Sequence, residues 1–390
     1  MGLIICIVIL AVSFFFIFYA MVGYPAFILL LSKLKKPSKI KKDSGYEPIV
    51  SYMIVAHNEE KVILNKLKNA LELDYKKEKL QIIIASDFST DKTNEIVKNF
   101  IESHPELNII LHETVEHKGK TNAQNEAQKL ATGEILVMTD ANAYLSPDAV
   151  KELVSCFADK DVSYVCGKLA YSNNENNTAA SESSYWNLEL KIRDIESRLQ
   201  TITAGNGSLY AVRNAEYILV PLSNCHDDMM PYRYALRKKK ALFNPDAVSY
   251  EKAGENNKDE FKRKVRMNRT ILDIFVKMWR PLNIFKYKWF SVFYFGHRTC
   301  RYLLWLNHLI FLAASVALTA IGYYIAGGVL VGLQLFAILL GLISVKHTVK
   351  FKLFRMLGYY SMTILAQLLA ALKQMAGKSK PTWEKADSTR

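Results

Sequence analysis

The 390-residue sequence predicts an α/β protein in which a mostly parallel sheet domain sits between apolar, membrane-crossing helices. Three observations carry that prediction. Between residues 49 and 155, short apolar runs alternate with amphipathic stretches, as strands do when crossover helices cover both faces of a parallel sheet. The first 31 residues contain no charged side chain, and a second apolar zone runs from about Leu303 to Met375, broken by KHTVKFKLFR. The segment between these zones has the mixed composition of a soluble domain.

The leading stretch, MGLIICIVILAVSFFFIFYAMVGYPAFILLL, reads as a retained anchor over residues 1–32 and not as a signal peptide. Its apolar run is too long, no basic residue precedes it, and no small-residue cleavage site ends it. At about 20 residues per span it crosses a bilayer with length to spare, and Pro25 marks a kink or an interfacial turn. A Lys-rich linker, residues 33–47, follows directly. The positive-inside rule then places the sheet domain, residues 48–280, in the cytoplasm of an integral inner or plasma membrane protein. In that reducing compartment Cys6, Cys156, Cys166, Cys225 and Cys300, scattered with no metal spacing, read as buried thiols.

Within the domain, IVSYMIVA (49–56) is a strand and HNEEKVILNKLKNALEL the helix after it; LQIIIAS (80–86) is a second strand. TDKTNEIVKNFIESH is a helix capped by Thr90 or Asp91. NIILHE, the helical TNAQNEAQKLAT, the strand EILVMTD and a helix opening at Pro147 continue the alternation. Beyond residue 160, VSYVCGKLAY is strand-like and SYWNLELKIRDIESRL helical.

Ligands of such sheets bind at the carboxyl ends of strands. Here those ends deliver His57, Asn58 and Glu59, then Asp87, then Asp140 and Asn142. A single Asp after a strand is ordinarily a cap; three strand ends converging on polar residues point to a site. In GEILVMTDANAYLS, the fourth strand ends by presenting a carboxylate, Asp140, and an amide, Asn142, on the same side.

Several of these stretches, IVSYMIVAHNEE, IIIASDFSTDKT, HKGKTNAQNEA, VMTDAN, GNGSLYAVR, CHDDMMPYRYALRKKKALFNPDAVSYE and KRKVRMNR, resemble family 2 glycosyltransferases in order and spacing over roughly residues 48–300. With the apolar segments, the likeness is to the membrane-integrated branch of hyaluronan, chitin, cellulose and poly-N-acetylglucosamine synthases. The resemblance implies a GT-A fold, a Rossmann-like sheet, and a UDP-linked sugar donor. It implies donor contacts from Ala56, Glu59, Asp87 and Lys120, with the diphosphate near a helix N-terminus. It also implies that Asp140, with Asn142 where the family has a second acid, holds a divalent cation against the diphosphate, the two oxygen ligands suiting hard Mg²⁺ or Mn²⁺.

In CHDDMM the second acid, Asp228, matches the family's catalytic base, with Asp227 orienting the helix or the acceptor; a helix-capping pair is the plainer reading of the same residues. Gly205, Asn206, Gly207 and Trp186 fall where acceptor contacts are implied. FKRKVRMNR lies where polymerising members carry Gln-x-x-Arg-Trp, so Arg263 takes the Gln place, Arg266 the phosphate-binding Arg, and Met267 replaces the Trp. The amphipathic set Trp186, Leu190, Ile192, Ile195 and Leu199 either lies on the membrane surface or packs on the sheet.

Residues 281–302 read as an interfacial amphipathic helix. Residues 303–375 read as membrane or interfacial helices, with spans at 303–326 and 329–345 turning at AGG and a third segment at 353–375 that spans or lies in the interface; 376–390 is a tail. The net charge of +14 concentrates beside the apolar zones and at 233–240 and 262–269, which fits anionic headgroups and a phosphorylated donor better than nucleic acid. The function implied is a membrane-bound inverting transfer of sugar to a growing polysaccharide, extruded by this chain or by a homo-oligomer of it. The alternatives are single addition to a lipid-linked acceptor and a non-catalytic nucleotide-sugar-binding subunit.

Overall fold

A computed structural model describes residues 1–172, 177–252, 257–347 and 351–382, with the side chains of 177–185 left aside. Parts of KHTVKFKLFR (348–350) and of the tail (383–390) lie outside the described residues. The chain divides into a sheet unit, Pro37–Asn174, Leu188–Ala253 and Lys380–Arg390, and a helical unit, Met1–Lys36, Glu175–Asn187 and Gly254–Ser379.

In the sheet unit the apolar runs become β1 (Val50–Ala56), β2 (Leu80–Ser86), β3 (Ile109–Glu113) and β4 (Ile135–Asp140). All four are parallel, in the order β3-β2-β1-β4. Every residue of β1 and β2 is buried, as strands covered on both faces must be. The crossover helices are α1 (Ile63–Leu71), α2 (Thr93–Ser103) and α3 (Lys120–Ala127). The N-cap of α2 is Lys92 and not Thr90 or Asp91; Asp91 stands one residue earlier, its Oδ1 accepting from the Thr93 amide at 3.0 Å. The helix expected from Pro147 forms as α4 (Ala149–Ser155).

The remaining strands are β5 (Tyr144–Leu145), β6 (Val162–Tyr171), β7 (Leu209–Arg213) and β8 (Lys240–Glu251). They complete one eight-stranded sheet in the order β3-β2-β1-β4-β7-β6-β8-β5, with β7 antiparallel to both neighbours and β6 parallel to β8. The sheet is therefore mixed but mostly parallel, and strand order reverses direction between β1 and β4. Helices α5 (Asn177–Leu199) and α6 (His226–Leu236) complete the elements used below. From Leu188 onward α5 packs on the sheet: Leu190, Ile192 and Ile195 are buried, and Ser197 Oγ accepts from the Phe243 amide at 2.9 Å. Of the two readings of that amphipathic stripe, packing on the sheet holds for this part.

In the helical unit Gly2–Lys35 forms one 34-residue apolar helix. Pro25 does not break it. A π-helical stretch, Tyr19–Gly23, precedes the proline, and the Tyr24 amide reaches back to the Tyr19 carbonyl, which accommodates the ring within the helix. Tyr324–Lys346 is a second helix long and apolar enough to cross a membrane; Trp289–Tyr302 and Leu304–Ala320, bent by 58°, make a third candidate as a pair. The turn expected at AGG lies earlier. Gly322, at φ +101°, ends the helix Leu304–Ala320, whereas Gly327 lies within the next helix. A Cβ on Gly327 would come 2.2 Å from Thr319 Oγ1, so this glycine serves close helix packing and not a turn.

Candidate active site

Because β1, β2 and β4 are parallel and in register, with Ala56 beside Ser86 and Val55 beside Asp140, their carboxyl ends share one edge. His57, Asp87 and Asp140 all emerge there. The Asp87 amide donates to the Ala56 carbonyl at 2.8 Å, which ties the first two strand ends together. Glu59 is buried; its amide donates to Thr93 Oγ1 at 2.7 Å, so it anchors the entry to α1 against α2.

The Asp87 carboxylate is fully buried. Its Oδ1 accepts from the Lys118 amide at 3.2 Å, and its Oδ2 lies 2.9 Å from His117 Nδ1, an ion-pair distance off the line of a hydrogen bond. His57 stacks on His117 with ring centroids 4.0 Å apart and planes within 12°, and its Nδ1 lies 2.6 Å from the Asp87 carbonyl. His57, Asp87 and His117 bring their ligand atoms within 4.8 Å of one another. They do not fit a metal ion as arranged, because imidazole lone pairs lie in the ring plane and two parallel stacked rings cannot aim them at one point. Asp87 instead fixes the 117–120 turn that opens α3.

That turn delivers Lys120. Its ammonium pairs with Asp140 Oδ1 and donates to the Gly207 carbonyl at 3.0 Å. Burial alone would lower Lys120, but Asp140, followed by Asp227, outweighs it and holds the ammonium above its ordinary value. From Asp140 to Leu145 exposure alternates: Asp140 and Asn142 are half-buried, while Ala141, Ala143 and Leu145 are buried. The carboxylate and the amide thus share the accessible side, and their oxygen donors fit a hard divalent cation.

On the other side of Lys120 lies GNGS. Asn206 Oδ1 accepts from the amides of Ser208 and Leu209 at 2.9 and 3.2 Å, folding the segment into a tight turn. Gly205 lacks a Cβ because one would sit 2.0 Å from the Tyr164 hydroxyl; at Gly207 a Cβ would lie 3.4 Å from Lys120 Nζ and 3.8 Å from Asp227 Oδ2. Asp227 and Asp228 occupy the first turn of α6. His226 before them is no base: burial, then the charge of Lys120, pushes it down to about 3. Its Nδ1 meets the Tyr210 hydroxyl at 2.9 Å, and that hydroxyl accepts from Gln124 Nε2 at 2.8 Å, so the neutral ring pins α6 to β7 and α3.

The sheet unit therefore holds Ala56, Glu59, Asp87, Lys120, Asp140, Asn142, Gly205, Asn206, Gly207, Asp227 and Asp228, and it links the Asp140, GNGS and Asp227 groups through Lys120. Trp186, Arg263 and Arg266 belong to the helical unit, where Trp186 is half-buried and the Arg263 guanidinium binds Glu260 at 2.6 and 2.9 Å.

Residues 51–219 match the family model Glycosyl transferase family 2. The chain carries a family 2 glycosyltransferase domain. It is 31% identical over 137 residues to a beta-monoglucosyldiacylglycerol synthase of Nostoc sp., covering 35% of this chain and 29% of that protein. To the hyaluronan synthase of Streptococcus pyogenes it is 27% identical over 160 residues, covering 40% and 37%. The chain thus matches only about a third of the length of these curated relatives. The mannosyltransferase PcManGT from Pyrobaculum calidifontis, solved in complex with GDP-Man and Mn²⁺, superimposes with a TM-score of 0.69 at 25% identity, covering 97% of this chain and 100% of that one. This places the sheet among GT-A folds.

Sequence reasoning passed over two residues that lie against this candidate site. His117 stood inside the quoted HKGK motif without a role. Lys66 lies on the apolar face of α1 with Ile63, Leu67 and Ala70, all buried. Burial pushes its ammonium down to about 7, against the opposing charges of Asp140 and Glu251. A lysine on the buried face of an amphipathic helix was the signal available.

Proposed function

We propose that the chain is a membrane-bound inverting glycosyltransferase that passes a sugar from a nucleotide donor, UDP-linked as the family resemblance implies, to a growing polysaccharide. The observation that carries the proposal is Lys120, whose ammonium joins Asp140 on the donor side to Gly207 and Asp227 on the acceptor side. A divalent cation held by Asp140 and Asn142 would neutralise charge on the leaving diphosphate. Lys120 does the same from the protein itself, in a site where fixed charges act strongly. The acceptor oxygen forms its bond to C1 as the C1–O bond to the diphosphate breaks. The proton passes to Asp228, and the electron pair leaves with the nucleoside diphosphate. Ala56, Glu59 and Asp87 form the nucleotide end, and Gly205, Asn206 and Gly207 face the acceptor.

The proposed layout keeps an anchor at 1–32, a basic linker at 33–47 on the cytoplasmic side, the transferase domain at 48–280, an interfacial helix at 281–302, membrane helices within 303–375 and a tail at 376–390. Single addition to a lipid-linked acceptor is the second reading. Met267, 59% exposed where polymerising relatives carry Trp, favours it, as does the glycolipid synthase among the relatives. The test is a screen of UDP- and GDP-sugars for nucleoside diphosphate release in nanodiscs, with and without Mn²⁺, followed by product sizing. Polymer supports the first reading and one sugar per acceptor the second; no release with any donor ends both.

A further inference from the structure

Lys66 is 0% exposed in the core of the sheet unit, where a lone ammonium costs several kcal/mol unless its hydrogens are used. It donates to the Ala143 carbonyl and, at 3.2 Å, to Thr139 Oγ1, and it lies 5.6 Å from the centre of the Tyr52 ring. Thr139 and Ala143 flank the Asp140–Asn142 segment. The Thr139 hydroxyl has one proton, and that proton goes to the Ser208 carbonyl at 2.8 Å. A directional chain therefore runs from Lys66 through Thr139 to GNGS. One turn along α1, Asn69 completes the grip: its Nδ2 donates to the Leu145 carbonyl at 3.0 Å, and its Oδ1 accepts from the Leu145 amide at 2.8 Å. Two side chains at i and i+3 thus hold residues 139–145 from behind.

We propose that Lys66 is a positioning residue that sets the Asp140–Asn142 segment and, through Thr139, the GNGS turn, so that one buried lysine side chain fixes the donor and acceptor sides against each other. This rests on the transferase reading for its catalytic consequence, though not for its structural one. A lysine kept for stability alone is a poor choice at this point, since an apolar side chain of similar length fills the same space without the desolvation cost.

Lys66→Met in the full-length protein separates the roles. The expected result is an unfolding midpoint equal to or above wild type, faster amide exchange confined to residues 139–145 and 205–209, and kcat for nucleoside diphosphate release lowered about 10- to 100-fold with acceptor KM raised as the GNGS turn loosens. Unchanged exchange in those segments overturns the proposal. So does a lower midpoint with exchange raised across the whole sheet unit, which marks a packing role. Should the wild type turn over no nucleotide sugar, the transferase reading falls, and the exchange pattern alone still decides Lys66.

Discussion

The Gly205 amide donates to the Asp227 carbonyl at 2.7 Å, and it does so because residue 231 is proline. Within a helix the carbonyl of residue 227 would serve the amide of residue 231, but Pro231 has no N–H and its ring presses on that carbonyl. A helix-breaking residue inside α6 thereby becomes the tie between the acid pair and GNGS.

Pro231→Ala restores the missing donor. The helix gains stability, as relief of an interior proline is worth up to about 3 kcal/mol, and the unfolding midpoint rises. The Gly205 tie weakens by about 1 kcal/mol, so acceptor KM rises roughly fivefold. A steady-state acceptor titration alongside a thermal melt checks both. A raised midpoint with unaltered KM would mean that the Gly205 contact does not shape acceptor binding.

Asp228→Asn should cut nucleoside diphosphate release by about 10²- to 10⁴-fold, the range for a lost general base, whereas Asp227→Asn should cost less. Single-turnover assays on both variants distinguish them. The reverse ranking would move the base to Asp227.

Lys120→Met takes the ammonium from between Asp140 and Asp227. Release should fall about 10²- to 10³-fold, as for other single charge-stabilising donors. A donor-analogue titration should show weaker binding as well, and full activity in this variant would remove the central element of the proposed mechanism.

Asn142→Asp adds a charged oxygen beside Asp140 and should tighten Mn²⁺ binding roughly tenfold, since ligand charge sets affinity at such sites. Asp140→Asn should abolish it. Electron paramagnetic resonance of added Mn²⁺ with a nucleoside diphosphate reads both directly. Binding that ignores both substitutions would place the cation elsewhere.

His226 has a folded-state pKa of about 3 against 6.5 for the free side chain. Between those values the unfolded chain binds the extra proton, so stability rises with pH across this window. The neutral ring's contribution is whole above pH 6.5 and is lost as pH falls toward 3. His226→Gln should therefore flatten the loss of unfolding midpoint between pH 6.5 and 4. An unchanged slope would show that another group controls acid unfolding.

Sequence alone determined the repeated strand–helix order, the edge where His57, Asp87 and Asp140 emerge, and the apolar character of Gly2–Lys35 and Tyr324–Lys346. Those features are local: period, run length and caps are written in consecutive residues. Only the tertiary structure decided that β7 enters antiparallel beside β4, bringing GNGS to Lys120, and that Tyr164 demands glycine at 205. It also decided that His226 is a neutral pin and that a buried Lys66 stands behind the Asp140 segment. Each of these joins residues tens to more than a hundred positions apart, where no periodicity reaches. Their energies come from burial and from charges meeting in a desolvated interior, which exist only after the chain has folded.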